Sequence, residues 1–129
     1  MRTVIADDDA LSNTHLGHLL ETFAEVDLVG VAVDGQQAVE LVDRLLPDLL
    51  FLDIEMPKLN GFQVLKDIKH QPLVIIVTGH GEYRHLSLET DAIYCLSKPF
   101  DVAEVSKVMD KIGRIARVMA RIGGGRGEA

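Results

Sequence analysis

The chain has 129 residues and a formal charge of −7, from 20 acidic against 13 Lys and Arg side chains. That length fits one domain able to bury about two-thirds of the surface of its extended form, and the acidic balance argues against direct nucleic-acid binding, because phosphate backbones are met by clustered Lys and Arg. Cys95 is the single cysteine, so neither an internal disulfide, nor a CxxC redox pair, nor a thiolate zinc site can form.

In chain order, Met1-Arg2-Thr3-Val4 reaches an aspartate cluster before any long apolar segment develops. No secretory signal or membrane span is expected, and a cytoplasmic protein is. Residues 3–6 read as a short buried strand that stops at Asp7, Asp8 and Asp9. Asp9 is placed to cap a helix in which Leu11, Leu16, Leu19, Leu20 and Phe23 recur at roughly helical spacing. Residues 28–33, Leu-Val-Gly-Val-Ala-Val, form a second strand, and Asp34-Gly35 turns the chain. Asp34 and Gln37 have the spacing of a capping box; Ala38, Leu41, Val42, Leu45 and Leu46 supply the apolar face of a second helix, which Pro47 ends.

Residues 49–52 are continuously apolar, as expected of a central strand covered on both faces. Met56-Pro57-Lys58-Leu59-Asn60-Gly61 is a turn-rich loop before a short helix with Phe62, Val64, Leu65 and Ile68. A fourth strand over 73–77 ends at Thr78-Gly79-His80-Gly81, a weaker helix spans 82–89, and a fifth strand over 92–96 leads to Ser97-Lys98-Pro99. Asp101 and Glu104 are spaced as another capping box. They open a long helix with Val105, Val108, Met109, Ile112, Ile115 and Met119 inward and Lys107, Lys111, Arg114, Arg117 and Arg121 outward. The expected domain is 1–122; from Gly123 the glycine-rich run cannot pack a core and reads as a flexible tail, 123–129.

Five strands alternating with helices imply right-handed crossovers and an α/β fold with a parallel sheet. Fold precedent for five strands supplies the order: flavodoxin-like, 2-1-3-4-5, helices on both faces, with strands 1 and 3 side by side at a switch point. Asp8 and Asp53 then converge at one edge. Magnesium takes about six oxygen ligands and commonly keeps some waters. Asp8 and Asp53 are the expected direct ligands of Mg2+, with Mn2+ as the alternative; Asp7 acts through water, and the Glu55 backbone carbonyl is a third protein oxygen. The plainer reading of residues 7–9, a turn and helix cap, stands beside this.

Asp53 ends the most buried strand, where a carboxylate without a task is costly. It is placed to attack phosphorus and form an aspartyl phosphate. Thr78 offers a hydroxyl at the same edge, although Thr at a strand end is often only a turn residue. Lys98 is placed to pair with Asp53 before reaction and with a phosphoryl oxygen after it. Pro99 offers a way to fix that lysine, since X-Pro is where a cis bond costs little. His80 and Glu55 flank the pocket, with exposed loop positions as the equal alternative. His15, His18, His70, His80 and His85 show no compact zinc spacing, and no zinc is expected.

These residues resemble the receiver domain of bacterial two-component response regulators: Asp7-Asp8, then Asp53 within Leu-Asp-Ile-Glu-Met-Pro-Lys-Leu-Asn-Gly, then Thr78, then Lys98-Pro99-Phe100, in the family's order. The resemblance implies a phosphorylation-dependent switch in a phosphorelay rather than an enzyme. It gives Asp53 the role of phosphoacceptor, Asp7 and Asp8 that of metal-binding acids, Thr78 that of switch hydroxyl and Lys98 that of phosphoryl contact. The implied partner is a histidine kinase or a histidine phosphotransfer protein. The expected output or homodimer surface is the face of the helix over 82–89, the fifth strand and the last helix. The chain departs from the family three residues before the lysine, where Cys95 replaces the usual Tyr or Phe and Tyr94 precedes it. Residues 88–93 faintly resemble receivers attached to LytTR-type DNA-binding domains, which would make transcription the regulated output. Two rivals remain beside this reading. One is a receiver-like interaction module that never uses phosphate. The other is a haloacid-dehalogenase-like phosphohydrolase with Asp7 as nucleophile.

Overall fold

The computed structural model describes residues 1–79 and 90–127, with side chains as far as residue 122. The helix expected over 82–89, with His80 and His85, lies outside the described residues. Two compact units are distinguished. Met1–Pro99 holds the sheet and the first three helices, and a second unit begins at Phe100.

In the first unit the elements are β1 (Arg2–Ala6), α1 (Ala10–Glu21), β2 (Asp27–Ala32), α2 (Gly35–Leu45), β3 (Leu49–Asp53), α3 (Gly61–Asp67), β4 (Leu73–Thr78) and β5 (Tyr94–Ser97). All strand pairs are parallel, in the order β2-β1-β3-β4-β5, the flavodoxin-like arrangement expected. Side chains alternate across a strand. Val4, Ala6, Leu50, Leu52, Val74 and Ile76 form one cluster with Ala38 and Val42 of α2 and Val64 of α3. Ile5, Phe51 and Ile75 alternate with them and are also buried, as are Leu16 and Leu20 of α1, which stand outside that cluster. Both faces of β3 are therefore covered, which is why its residues read as an unbroken apolar run.

Local chemistry sets the element ends. Asp9 caps α1 by accepting from Leu11 N, and Asp34 Oδ1 accepts from Gln37 N at 2.8 Å. The reciprocal arm of that second box lands one residue early, with Gln37 Oε1 accepting from Val33 N at 3.0 Å. This takes Val33 out of β2, which ends at Ala32 instead of residue 33. A full capping box at Asn60 and Gln63 opens α3. β5 begins at Tyr94 rather than residue 92, because the Thr90 hydroxyl accepts from Ala92 N at 3.2 Å and forms a turn there.

Three apolar residues expected on the inner face of a helix lie outside: Leu11, Met119 and Leu46, the last of which ends α2 in a left-handed conformation and is 55% exposed. Leu11 is 80% exposed. The buried stripe of α1 is Asn13, Leu16, Gly17 and Leu20, and Leu11 stands five residues before Leu16, about 140° around the helix. Met119 is 58% exposed. In the second unit the last helix is Val102–Gly127, with Asp101 Oδ1 accepting from Glu104 N at 3.0 Å as expected. Val105, Val108, Met109 and Ile112 are buried, and none of residues 113–122 is. A helix of 26 residues is about 39 Å long, more than the diameter of a small domain. Its backbone continues through the glycine run at 123–125, where the tail was expected to begin. Extending an existing helix costs far less than starting one, and glycine weakens a helix without forbidding it.

Candidate functional site

Four parallel strands bring their carboxyl ends to one edge. Ala6 of β1 lies opposite Leu52 of β3, so the next residues, Asp7 and Asp53, are neighbours. Asp53 is in turn opposite Val77, and Thr78 opposite Ser97, which sets Lys98 beside them. A hydrogen bond of 2.7 Å from Lys98 N to Thr78 O fastens this last step, and the Lys98–Pro99 peptide is cis.

Carboxylate oxygens of Asp7, Asp8 and Asp53 lie within 4.8 Å of one another. Asp7 and Asp53 are buried, while Asp8 faces solvent. Asp7 Oδ1 accepts from Asp9 N at 2.9 Å, and Asp53 Oδ1 accepts from Glu55 N at 3.1 Å. The Lys98 ammonium sits 2.6 Å from Asp7 Oδ2 and 3.4 Å from Asp53 Oδ2. The expected partner was Asp53 alone. Asp7 is the nearer anion, and Lys98 bridges the two buried carboxylates because that arrangement offsets their mutual repulsion.

The charge balance is visible in the titration of these groups. Burial and then the neighbouring Asp7 charge push the Asp53 carboxyl up to about 6, against the opposing pull of Lys98 and the Glu55 N–H. Burial disfavours the Lys98 ammonium, but the hydrogen bond to Asp7 and the charges of Asp53 and Asp7 outweigh it and hold the group above its ordinary value. Three carboxylates against one ammonium leave an excess of negative charge. Hard oxygen donors this close, two buried and one open to solvent, suit a divalent cation that keeps part of its water shell.

Asp7, Asp8, Asp53 and Lys98 thus come together, and Thr78 lies at the same edge, fully buried. Gly79 borders open space, since a Cβ there would meet no described atom within 4 Å. Glu55 stands two residues after Asp53, with an exposed side chain and its N–H donated to Asp53 Oδ1. Cys95 packs against the α2–α3 side of the core, so Tyr94 points to the opposite face of the strand.

Asn13 is a participant the residue pattern did not bring out. It is buried on α1, and its Nδ2 donates to the Asp7 carbonyl at 2.8 Å. The signal was available, as a polar residue standing three and seven positions before Leu16 and Leu20 on an apolar stripe.

Residues 3–110 match the model of the response regulator receiver domain. An uncharacterized response regulatory protein of Vibrio cholerae is 36% identical over 113 residues, covering 84% of this chain and 43% of that protein. The sensory transduction protein LytT of Bacillus cereus is 32% identical over 114 residues, covering 86% and 46%. The chain spans about half the length of the curated relatives it matches. The response regulator domain of Thermotoga maritima CheB has the same fold, with a TM-score of 0.73 at 30% identity over 92% of this chain and 96% of that one. A carboxylate cluster, a lysine and a buried threonine at the edge of a 2-1-3-4-5 sheet, together with these matches, make the chain a member of the receiver-domain family of two-component response regulators.

Proposed function

We propose that Asp53 accepts a phosphoryl group from a phosphohistidine of a partner kinase or phosphotransfer protein, and that the chain works as a phosphorylation-dependent switch. The observation that carries this is Asp53 itself, a carboxylate 5% exposed at the end of the central strand, with a lysine and two further carboxylates around it. In the transfer, an Asp53 oxygen attacks phosphorus, the phosphorus–nitrogen bond breaks, and its electron pair leaves on the imidazole nitrogen. An acyl phosphate forms and no proton need leave Asp53. A divalent cation, Mg2+ or Mn2+, would be held directly by Asp8 and Asp53, through water by Asp7 and by the Glu55 backbone carbonyl, and would supply screening of the negative charge at the site.

Lys98, already between Asp7 and Asp53, turns its ammonium to a phosphoryl oxygen, and Thr78 donates its hydroxyl to another. Those two residues end β4 and lead out of β5, so new charge on Asp53 biases the segments that follow them. Output or homodimer contacts in this reading fall on elements that follow Thr78 and Lys98 in the chain. The domain signals and assists its own phosphorylation and dephosphorylation; it does not turn over a substrate. Transcriptional output of the LytTR type, a cytoplasmic location and a domain limit near residue 122 belong to the same proposal. Among the described residues no helix is long and apolar enough to cross a membrane. The hydrolase alternative loses ground because residues 3–110 match the response regulator receiver domain.

Intact mass after incubation with acetyl phosphate and Mg2+ tests the proposal. One phosphoryl group is expected on the native protein and none on Asp53→Asn. Equal labelling of both would move the acceptor elsewhere, and labelling of neither would favour a module that works without phosphate.

A further inference from the structure

The loop between β3 and α3 carries Glu55, and both of its ends are held by contacts that only glycine permits. At the near end, Gly61 N donates to Ile54 O at 2.8 Å, and a Cβ on Gly61 would lie 2.7 Å from Asp53 O and 2.8 Å from Ile54 Cα. At the far end the loop leans on the start of α2. A Cβ on Gly35 would lie 1.8 Å from Leu59 O and 2.5 Å from Leu59 C, a backbone collision that no rotamer change relieves. Gly35 N donates to Pro57 O at 3.3 Å. Beside it, Lys58 Nζ reaches Asp34 Oδ2 at 3.4 Å.

What is held there is a strained turn. Leu59 N donates to Pro57 O at 2.9 Å around Lys58, whose φ is 69°. This is a γ-turn of the rare positive-φ kind, which persists only where its surroundings enforce it. Met56 and Leu59 pack into the apolar cluster and fix the loop from below. The contacts of Gly35 act on the backbone of Pro57 and Leu59, two and four residues after Glu55, and Asp34 acts on the Lys58 side chain between them.

We propose that Gly35, with the Asp34–Lys58 pair, is a positioning device for the metal site: the α2 start holds the γ-turn closed, and the closed turn sets the Glu55 backbone against Asp53. The inference rests on the metal-binding reading above. Asp34 has a second duty as the α2 cap, through Gln37 N, so asparagine at that position keeps the cap while removing the ion pair.

Calorimetric titration with Mg2+, together with amide hydrogen exchange of Glu55 and Leu59 in metal-free protein, tests it. Gly35→Ala is expected to weaken Mg2+ binding by about tenfold and to speed exchange at both amides. Asp34→Asn and Lys58→Met, which leave the backbone contact intact, are expected to weaken binding by about two- to threefold, and they carry the test if Gly35→Ala fails to fold. Variants with lowered urea midpoints but unchanged Mg2+ affinity and unchanged exchange at Glu55 would show an ordinary structural role and overturn the inference alone. Absence of Mg2+ binding by the native protein would instead remove the metal-site reading and this inference with it.

Discussion

Asp53→Asn is expected to make the metal-free protein more stable. Asp53 titrates at about 6 against an ordinary value of 3.8, because burial and then Asp7 disfavour its charge more than Lys98 and the Glu55 N–H favour it. At 1.36 kcal/mol per unit, that rise corresponds to roughly 3 kcal/mol of penalty on the ionised folded state. Solvent reaches the site from the side of exposed Asp8, and screening reduces the expected net to about 1–2 kcal/mol. A raised carboxyl means that the folded state binds more protons than the unfolded chain between pH 3.8 and about 6. Native stability therefore falls as pH rises through that window, and the full penalty applies above it. Asparagine never ionises, and its carbonyl oxygen can still accept from Glu55 N. Urea unfolding of both proteins in EDTA at a series of pH values measures the difference, in which titrating groups away from the site cancel. The two should agree near pH 4 and diverge by pH 8, with the variant the more stable. Added Mg2+ should close the gap, since each tenfold excess of free cation over its Kd adds about 1.4 kcal/mol to the native protein, and the variant has lost one carboxylate. A variant less stable than native at pH 8 in EDTA, or a gap that does not change with pH, would refute the electrostatic account of this site.

Lys98→Met strips the counter-charge from Asp7 and Asp53, and is expected to cost about 1–3 kcal/mol at pH 8 in EDTA, less than for a fully buried pair because the lysine is partly exposed. Asp53 loses a group that pulls its titration down, so in the variant it titrates above about 6; the loss should shrink as pH falls from 8 toward about 6, where it is smallest, and should also shrink with saturating Mg2+; denaturant melts at two pH values check both. Phe51→Ala empties the centre of β3, where the side chain is fully buried, and is expected to cost about 3–5 kcal/mol. That is a large share of a total stability of about 5–15 kcal/mol, so the urea midpoint should drop sharply while the slope stays unchanged.

The residue pattern carried most of the sheet edge because the relevant signals are local and one-dimensional. A carboxylate following an apolar run is visible in the chain, and right-handed crossovers then send every strand end to the same side. Asp7, Asp53, Thr78 and Lys98 needed nothing more than strand order to meet. What escaped is of another kind. The preference of Lys98 for Asp7 depends on differences of less than 1 Å between two oxygens on adjacent strands, and no spacing rule contains that. Leu11 was drawn inward by its type, although its angle on the helix turns it to solvent. Gly35 marked a turn, yet its closest neighbour is the Leu59 backbone 24 positions away. A residue that matters through the side chain it lacks gives no direction in sequence, since absence has no partner to pattern against. The same asymmetry separates the two halves of the site. The groups that handle charge are legible because chemistry requires particular residue types, whereas the groups that hold the loop are legible only as geometry, through a backbone contact whose loss would be felt at Glu55.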